Sequence, residues 1–214
     1  MPVNEYKSVK NYAENEIIIE RSRFIGYCST VSGEEEAKAF VNKIRKENSL
    51  ATHNCFAYVA DDSGNNVKFS DDGEPSGTAG TPILEVIKNK NLRKCAVVVT
   101  RYFGGVKLGA GGLVRAYTRA AAEVLNKAGE VLNELSCIYE IKLSYEGYSA
   151  FSKYISDKKT LILNSDFNEN VTVTVAVPES RKEIFEKETA DYFSGKVILK
   201  KIKSEFMIFG ADEK

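Results

Sequence analysis

The sequence predicts an α+β protein built as two domains, and three observations carry that reading. The apolar spacing switches between period two and helical spacing several times along the chain. The pattern of strands and helices restarts after Gly129. The length, 214 residues, exceeds the roughly 100–150 residues at which single domains cluster.

In the first half, residues 17–19 and 24–31 read as strands. Ser32 followed by Glu35 reads as a capping box, and Ala37, Phe40, Val41 and Ile44 behind it recur at helical spacing. Residues 54–60 read as a strand. Residues 61–80, rich in Asp, Ser, Gly and Asn, read as largely irregular. Thr81-Pro82 is a helix start, because proline at the first helical position gives up an amide that has no partner there; this helix ends near Asn89. Residues 95–100 are a continuous β-branched apolar run, the mark of a buried central strand. A glycine-rich segment, 104–112, leads into a helix over 113–127 with Leu113, Tyr117, Ala120, Ala121, Val124 and Leu125 on one stripe. Gly129 stops it.

In the second half Tyr139, Ile141, Leu143 and Tyr145 alternate as a half-buried strand, and residues 147–158 carry Tyr148, Phe151 and Ile155 at helical spacing. A short strand at 160–163 and clean alternation of Val171, Val173, Val175 and Val177 follow. Pro178 opens a helix to about Phe193, and 196–209 is the last strand. The order β-α-β-β-α-β is the ferredoxin-like arrangement. The expected domains are 1–133 and 134–214.

Composition sets bounds on function. The chain is 43% hydrophobic and 28% charged, and its 30 basic residues balance 30 acidic ones. Bulk charge therefore offers nothing to a phosphate backbone, and nucleic-acid binding requires a local basic patch. Cys28, Cys55, Cys95 and Cys137 are dispersed without a CxxC pair and read as reduced core residues; with a single histidine, a structural zinc site has no ligand set. Residues 1–16 are polar with no apolar h-region, and no run approaches the ~20 residues of a membrane span. The expectation is a cytoplasmic protein without a membrane partner.

Two segments carry candidate chemistry. The first runs Arg101-Tyr-Phe-Gly104-Gly105-Val-Lys107-Leu-Gly109-Ala-Gly111-Gly112, from a buried strand into a helix. Its five glycines permit close backbone approach and leave amides free to face an anion beside a helix N-terminus. Lys107 lies within it, and Arg115 and Arg119, spaced i, i+4, project beside it. The spacing matches neither the Walker A pattern nor the dinucleotide fingerprint. The segment reads equally as a tight connection with two arginines in solvent.

The second segment, 70–80, crowds Asp71, Asp72 and Glu74 with Ser76 and Thr78. These carboxylates can hold Mg²⁺ or pair with Arg101, Arg115 or Arg119, and the hydroxyls can contact phosphate; alternatively they cap neighbouring amides. His53, the single histidine, opens a strand and reads first as structural. No GxSxG elbow or cysteine-protease signature is present. In the second domain Tyr145, Tyr148, Phe151, Lys153, Tyr154, Lys158 and Lys159 interleave, as a stacking surface or, more simply, as core.

Ser22-Arg-Phe-Ile25, Thr52-His-Asn-Cys-Phe-Ala-Tyr58, the 71–80 loop and Arg101 to Gly112 with Leu113-Val-Arg-Ala-Tyr117 together resemble the Impact family, and within it the bacterial YigZ-type branch. The resemblance covers the first domain; the second resembles that branch's ferredoxin-like C-terminal domain, similar to the last domain of elongation factor G. It implies for the first domain the fold shared by the second domain of ribosomal protein five and the GHMP kinases. It also implies a translation-linked role, since eukaryotic relatives regulate translation by binding an activator of an initiation-factor kinase.

Three functions are expected in order. The first is non-enzymatic binding of RNA or the ribosome through Arg101, Gly104, Gly105, Lys107, Gly109, Gly111, Gly112, Arg115 and Arg119, without DNA sequence specificity and without a required cofactor. The second is an enzyme of phosphotransfer or hydrolysis on a phosphorylated small molecule or nucleotide, using the Asp71–Asp72–Glu74 loop and Mg²⁺. The third is a protein–protein adaptor.

Overall fold

A computed structural model describes residues 3–156, 158–195 and 197–209. The chain divides into one compact unit, Tyr6–Val131, and a second formed by Leu132 onward with the residues before Tyr6. It is a mixed α/β protein with two β-sheets. Among the described residues no helix is long and apolar enough to cross a membrane.

In the first unit β1 (Glu5–Val9) is followed by β2 (Ala13–Ile19), β3 (Ser22–Thr30), α1 (Glu34–Glu47), β4 (His53–Val59), β5 (Val67–Ser70), α2 (Gly80–Asn89), β6 (Cys95–Tyr102) and α3 (Gly109–Ala128). The sheet order is β2-β3-β6-β4-β5, antiparallel throughout. Strand β6 lies at its centre, and this explains the uninterrupted apolar run: both its faces are covered. Val98 and Ala96 face α1 through Ala37, Val41 and Ile44. Cys95, Val97 and Val99 face α2 and α3 through Ile83, Ile87, Tyr117, Ala121 and Val124. The four cysteines are free and buried.

Several expectations need correction. Glu36, not Glu35, closes back on Ser32, accepting from its amide at 2.7 Å and its hydroxyl at 2.6 Å. Residues 61–80 are not wholly irregular, because Val67–Ser70 pairs with β4 as an edge strand. Helix α3 begins at Gly109, four residues before Leu113, so the glycine-rich segment is partly helix. The sequence reading also has no strand before residue 17, where β1 stands.

The second unit contains β7 (Glu130–Leu143, whose first two residues belong to the first unit), α4 (Tyr145–Ile155), β8 (Leu161–Phe167), β9 (Val171–Pro178), a 3₁₀ turn, α5 (Lys182–Tyr192) and β10 (Leu199–Ile208). Antiparallel pairing gives β10-β7-β9-β8. The valines of β9 and Tyr139 and Ile141 of β7 bury against Phe151, Ile155 and Phe185. Tyr145 begins α4 and does not end the strand, since Ser144 caps that helix by accepting from the Gly147 amide. Pro178 ends β9, and the helix proper starts at Lys182. The last strand begins at Leu199, and Lys196 lies outside the described residues. Phe151 is core, with Tyr148 and Tyr154 packed on it. Lys158 pairs with Glu188 and Lys159 with Glu134, so of the aromatics in the suggested stacking surface only Tyr145 stands half-exposed, with Lys153 also exposed.

Candidate ligand-binding site

The two segments singled out in the sequence meet at one end of β6. Sheet register sets Phe24 of β3 and His53 of β4 on either side of Arg101. All three side chains fall on the face covered by α2 and α3, because alternate residues of a strand share a face. Arg101 is 5% exposed, with its guanidinium between the Phe24 and Phe103 rings at 5.3 and 5.4 Å.

A buried cation needs a counter-ion, and Glu74 of the acidic loop supplies it. Arg101 Nη1 donates to Glu74 Oε1 at 2.7 Å, and the Tyr117 hydroxyl donates to the same oxygen at 2.8 Å. Burial, together with this carboxylate and the Cys55 thiol, pushes the Tyr117 hydroxyl's pKa far up, so it stays a donor. Cys55 donates toward the Asp71 carbonyl and the Tyr117 oxygen, and burial pushes its thiol up to about 12. His53 Nδ1 lies 2.8 Å from the Asp72 carbonyl, which only accepts, so the proton is assigned to Nδ1. Its Nε2 then lies 3.8 Å from Glu74 Oε2.

The remaining loop residues are occupied separately. Asp71 accepts from the amides of Gly77, Ala79 and Gly80 at 2.9, 3.0 and 2.8 Å, capping the start of α2. Asp72 accepts from Arg45 at 2.8 Å and from the Asn54 amide at 2.7 Å. The Thr78 hydroxyl donates to the Pro75 carbonyl at 2.7 Å, and Ser76 is exposed. The carboxylates therefore diverge onto different partners. Among the described residues no group of three or more His, Cys, Asp or Glu side chains is placed to hold a metal.

Burial raises the Asp71 pKa, but its three amide donors outweigh this and hold it below the ordinary 3.8. A depressed folded value means the stabilisation is present above pH ~4 and lost as pH falls through that value. Asp71→Ala is expected to cost about 2 kcal/mol at pH 7 by urea titration, and the gap to wild type should shrink below pH 4. A gap unchanged at pH 3 would refute the capping role.

The glycine-rich segment divides its work. The Phe103 amide donates to Thr52 Oγ1 at 3.1 Å and the Gly104 amide to Ser22 Oγ at 3.2 Å, so these two are structural. Gly105 is exposed. Gly109, with φ of 68°, starts α3, and no side chain caps the helix. The amides of Gly109, Gly111 and Gly112 are thus first-turn amides, which have no intrahelical acceptor.

Two cavities flank this turn. One, of about 370 Å³, is lined by Thr52, His53, Glu74, Arg101, Phe103 and Lys107 with the first residues of α3. The other, of about 520 Å³, shares Lys107 and Leu108 and is lined further by Glu20, Gly112, Arg115 and Arg119. Among the described residues Lys107 and Arg115 have no ion-pair partner. Arg119 makes an exposed pair with Glu123 at 2.7 Å.

The structure thus separates the predicted anion-binding residues. Lys107, Gly112, Arg115 and Arg119 share one groove, while Arg101 is the buried partner of Glu74 and no free cation. The acidic loop pairs with Arg101 and Arg45, not with Arg115 or Arg119. Sequence reasoning gave no site role to Thr52, Cys55 and Tyr117, which lie in the quoted motifs, or individually to Phe103, which lies within the glycine-rich segment. A buried tyrosine hydroxyl on an apolar stripe implies a partner, and that was the available signal for Tyr117.

Comparison with known proteins agrees with these motifs. Residues 20–125 match the Impact N-terminal domain. The chain is 42% identical over 198 residues to IMPACT family member YvyE of Bacillus subtilis, covering 92% of this chain and 91% of that protein. It is 35% identical over 183 residues to IMPACT family member YigZ of Escherichia coli, covering 85% and 90%. A solved crystal structure of a hypothetical protein aligns over 95% of this chain and all of its own, at a TM-score of 0.62 and 32% identity. This chain belongs to the Impact family.

Proposed function

We propose that the chain is a non-enzymatic RNA-binding protein, cytoplasmic and linked to translation through RNA or ribosome contacts. The observation that carries this reading is the groove of about 520 Å³ in which Lys107, Arg115 and Arg119 converge, with Glu20 the acidic residue in its lining and Arg119 also paired to Glu123. In a chain of zero net charge this is the local basic patch that phosphate binding demands. The uncapped first turn of α3 adds partial positive charge at the same place.

The proposed folds support that role by analogy. The first unit takes the arrangement shared with the second domain of ribosomal protein five. The second takes the ferredoxin-like one of elongation factor G's last domain, whose β-α-β-β-α-β order it follows.

The test is anisotropy of a labelled single-stranded RNA across a salt series. Three neutralised phosphates give a log–log slope of about −2. Arg115→Glu with Arg119→Glu is expected to weaken binding about a hundredfold and to flatten the slope. Retention unchanged in that variant would refute the reading.

A second reading has one observation of its own: His53 and Glu74 face the smaller cavity beside the first turn of α3. This is the geometry an enzyme acting on a phosphorylated small molecule would use. Turnover of phosphomonoesters by the wild type, abolished in His53→Gln, would favour it over pure binding.

A further inference from the structure

We infer that the 370 Å³ cavity receives the 3′-terminal ribonucleotide of an RNA strand, with its free 2′,3′-diol facing Glu74. This rests on the RNA-binding reading and specifies which part of the RNA is held.

The argument starts from one oxygen. The Glu74 side chain is 3% exposed, and its Oε1 is filled by Arg101 and Tyr117. Its Oε2 has no hydrogen-bond partner among the described residues, and His53 Nε2 lies 3.8 Å away. An acceptor oxygen on so buried a side chain, opening on the cavity that Glu74 lines, calls for an O–H or N–H donor and repels phosphate. Lys107 and the first residues of α3 line the same cavity and call for an anion.

One ligand unit must therefore present a donor and an anion together. At about 370 Å³ the cavity is near the small end of ligand sites, roughly 300–1,000 Å³, and takes one nucleotide and not a run of them. In an internal nucleotide the 3′-oxygen is esterified, and a second phosphate would be brought against Glu74. In a 3′-terminal ribonucleotide both vicinal hydroxyls are free to donate to Oε2, as carboxylates accept ribose hydroxyls elsewhere. Its 5′-phosphate then turns to Lys107 and the α3 amides. Phe103, 46% exposed, offers a ring for the base to stack on. Lys107 and Leu108 line both this cavity and the basic groove, so the strand leading to its end would lie along Arg115 and Arg119.

The test uses the full chain and three 5′-labelled RNAs of one sequence, ending in a 3′-hydroxyl, a 3′-phosphate or a 2′,3′-dideoxynucleotide. The 3′-hydroxyl strand should bind tightest. The 3′-phosphate should cost about tenfold or more through charge repulsion, and the dideoxy end about fivefold through lost hydrogen bonds. Phe103→Ala should bring the three within about twofold of each other. Equal affinities for all three ends, lost in Arg115→Glu/Arg119→Glu, would overturn the end pocket and leave RNA binding intact. No binding of any strand would overturn both.

Discussion

Glu74→Ala is expected to destabilise the first unit by about 3–5 kcal/mol, because it strands a buried guanidinium. Arg101 is 5% exposed, and two of its groups already lack strong partners. Nε has none among the described residues, and Nη2 reaches only Ser22 Oγ at 3.4 Å. The bond from Nη1 to Glu74 at 2.7 Å is therefore what satisfies the charge. The Phe24 and Phe103 rings on the cation soften the loss by about 1 kcal/mol each at most. Tyr117 would lose its acceptor in the same step.

Arg101→Met alone should cost a similar amount by leaving the carboxylate unpaired. The double variant Glu74→Leu/Arg101→Met should cost much less than the sum, since it removes both charges together. Urea titrations of the four proteins give the coupling directly. Single variants within 1 kcal/mol of wild type would show that the pair contributes little to the fold.

How much of this was legible in the sequence follows from which forces act locally. The apolar run around Val97–Val99 announces a central strand whatever surrounds it, and β6 is where it was expected. Pro178 misleads because its fixed φ suits the last residue of a strand as well as a helix start, and the next turn decides between them. Strand β5 has four residues, only partly buried, and exists because β4 offers an edge; no local signal encodes that. The site is similar. That segments 71–80 and 101–112 both mattered was visible from their glycines and carboxylates. Which carboxylate would meet which arginine was not, because it depends on β3, β4 and β6 aligning Phe24, Arg101 and His53. The division of labour among Asp71, Asp72 and Glu74 is a tertiary outcome that spacing does not carry.

Gly104→Ala is expected to be the most damaging glycine substitution in the glycine-rich segment, at about 3 kcal/mol. An added Cβ would stand 2.0 Å from the Arg21 carbonyl oxygen and 2.5 Å from the Ser22 amide nitrogen. These are backbone atoms, so no rotamer change relieves the contact. The facing turn has little freedom to retreat, with Glu20 and Arg21 both at positive φ, 45° and 66°, and the Gly104 amide tied to Ser22 Oγ. Gly105 makes the control. Its φ is +87°, but nothing lies within 4 Å of an added Cβ, so Gly105→Ala should cost only about 1–2 kcal/mol of backbone strain. Thermal melts of the two variants separate steric approach from conformational strain, and equal losses would refute the distinction. The same pair probes function. If the Gly104 contact sets where Val106 to Leu108 cross between the two cavities, Gly104→Ala should also weaken RNA binding at temperatures where it remains folded. Gly105→Ala, which leaves the contact with Arg21 in place, should bind within about twofold of wild type.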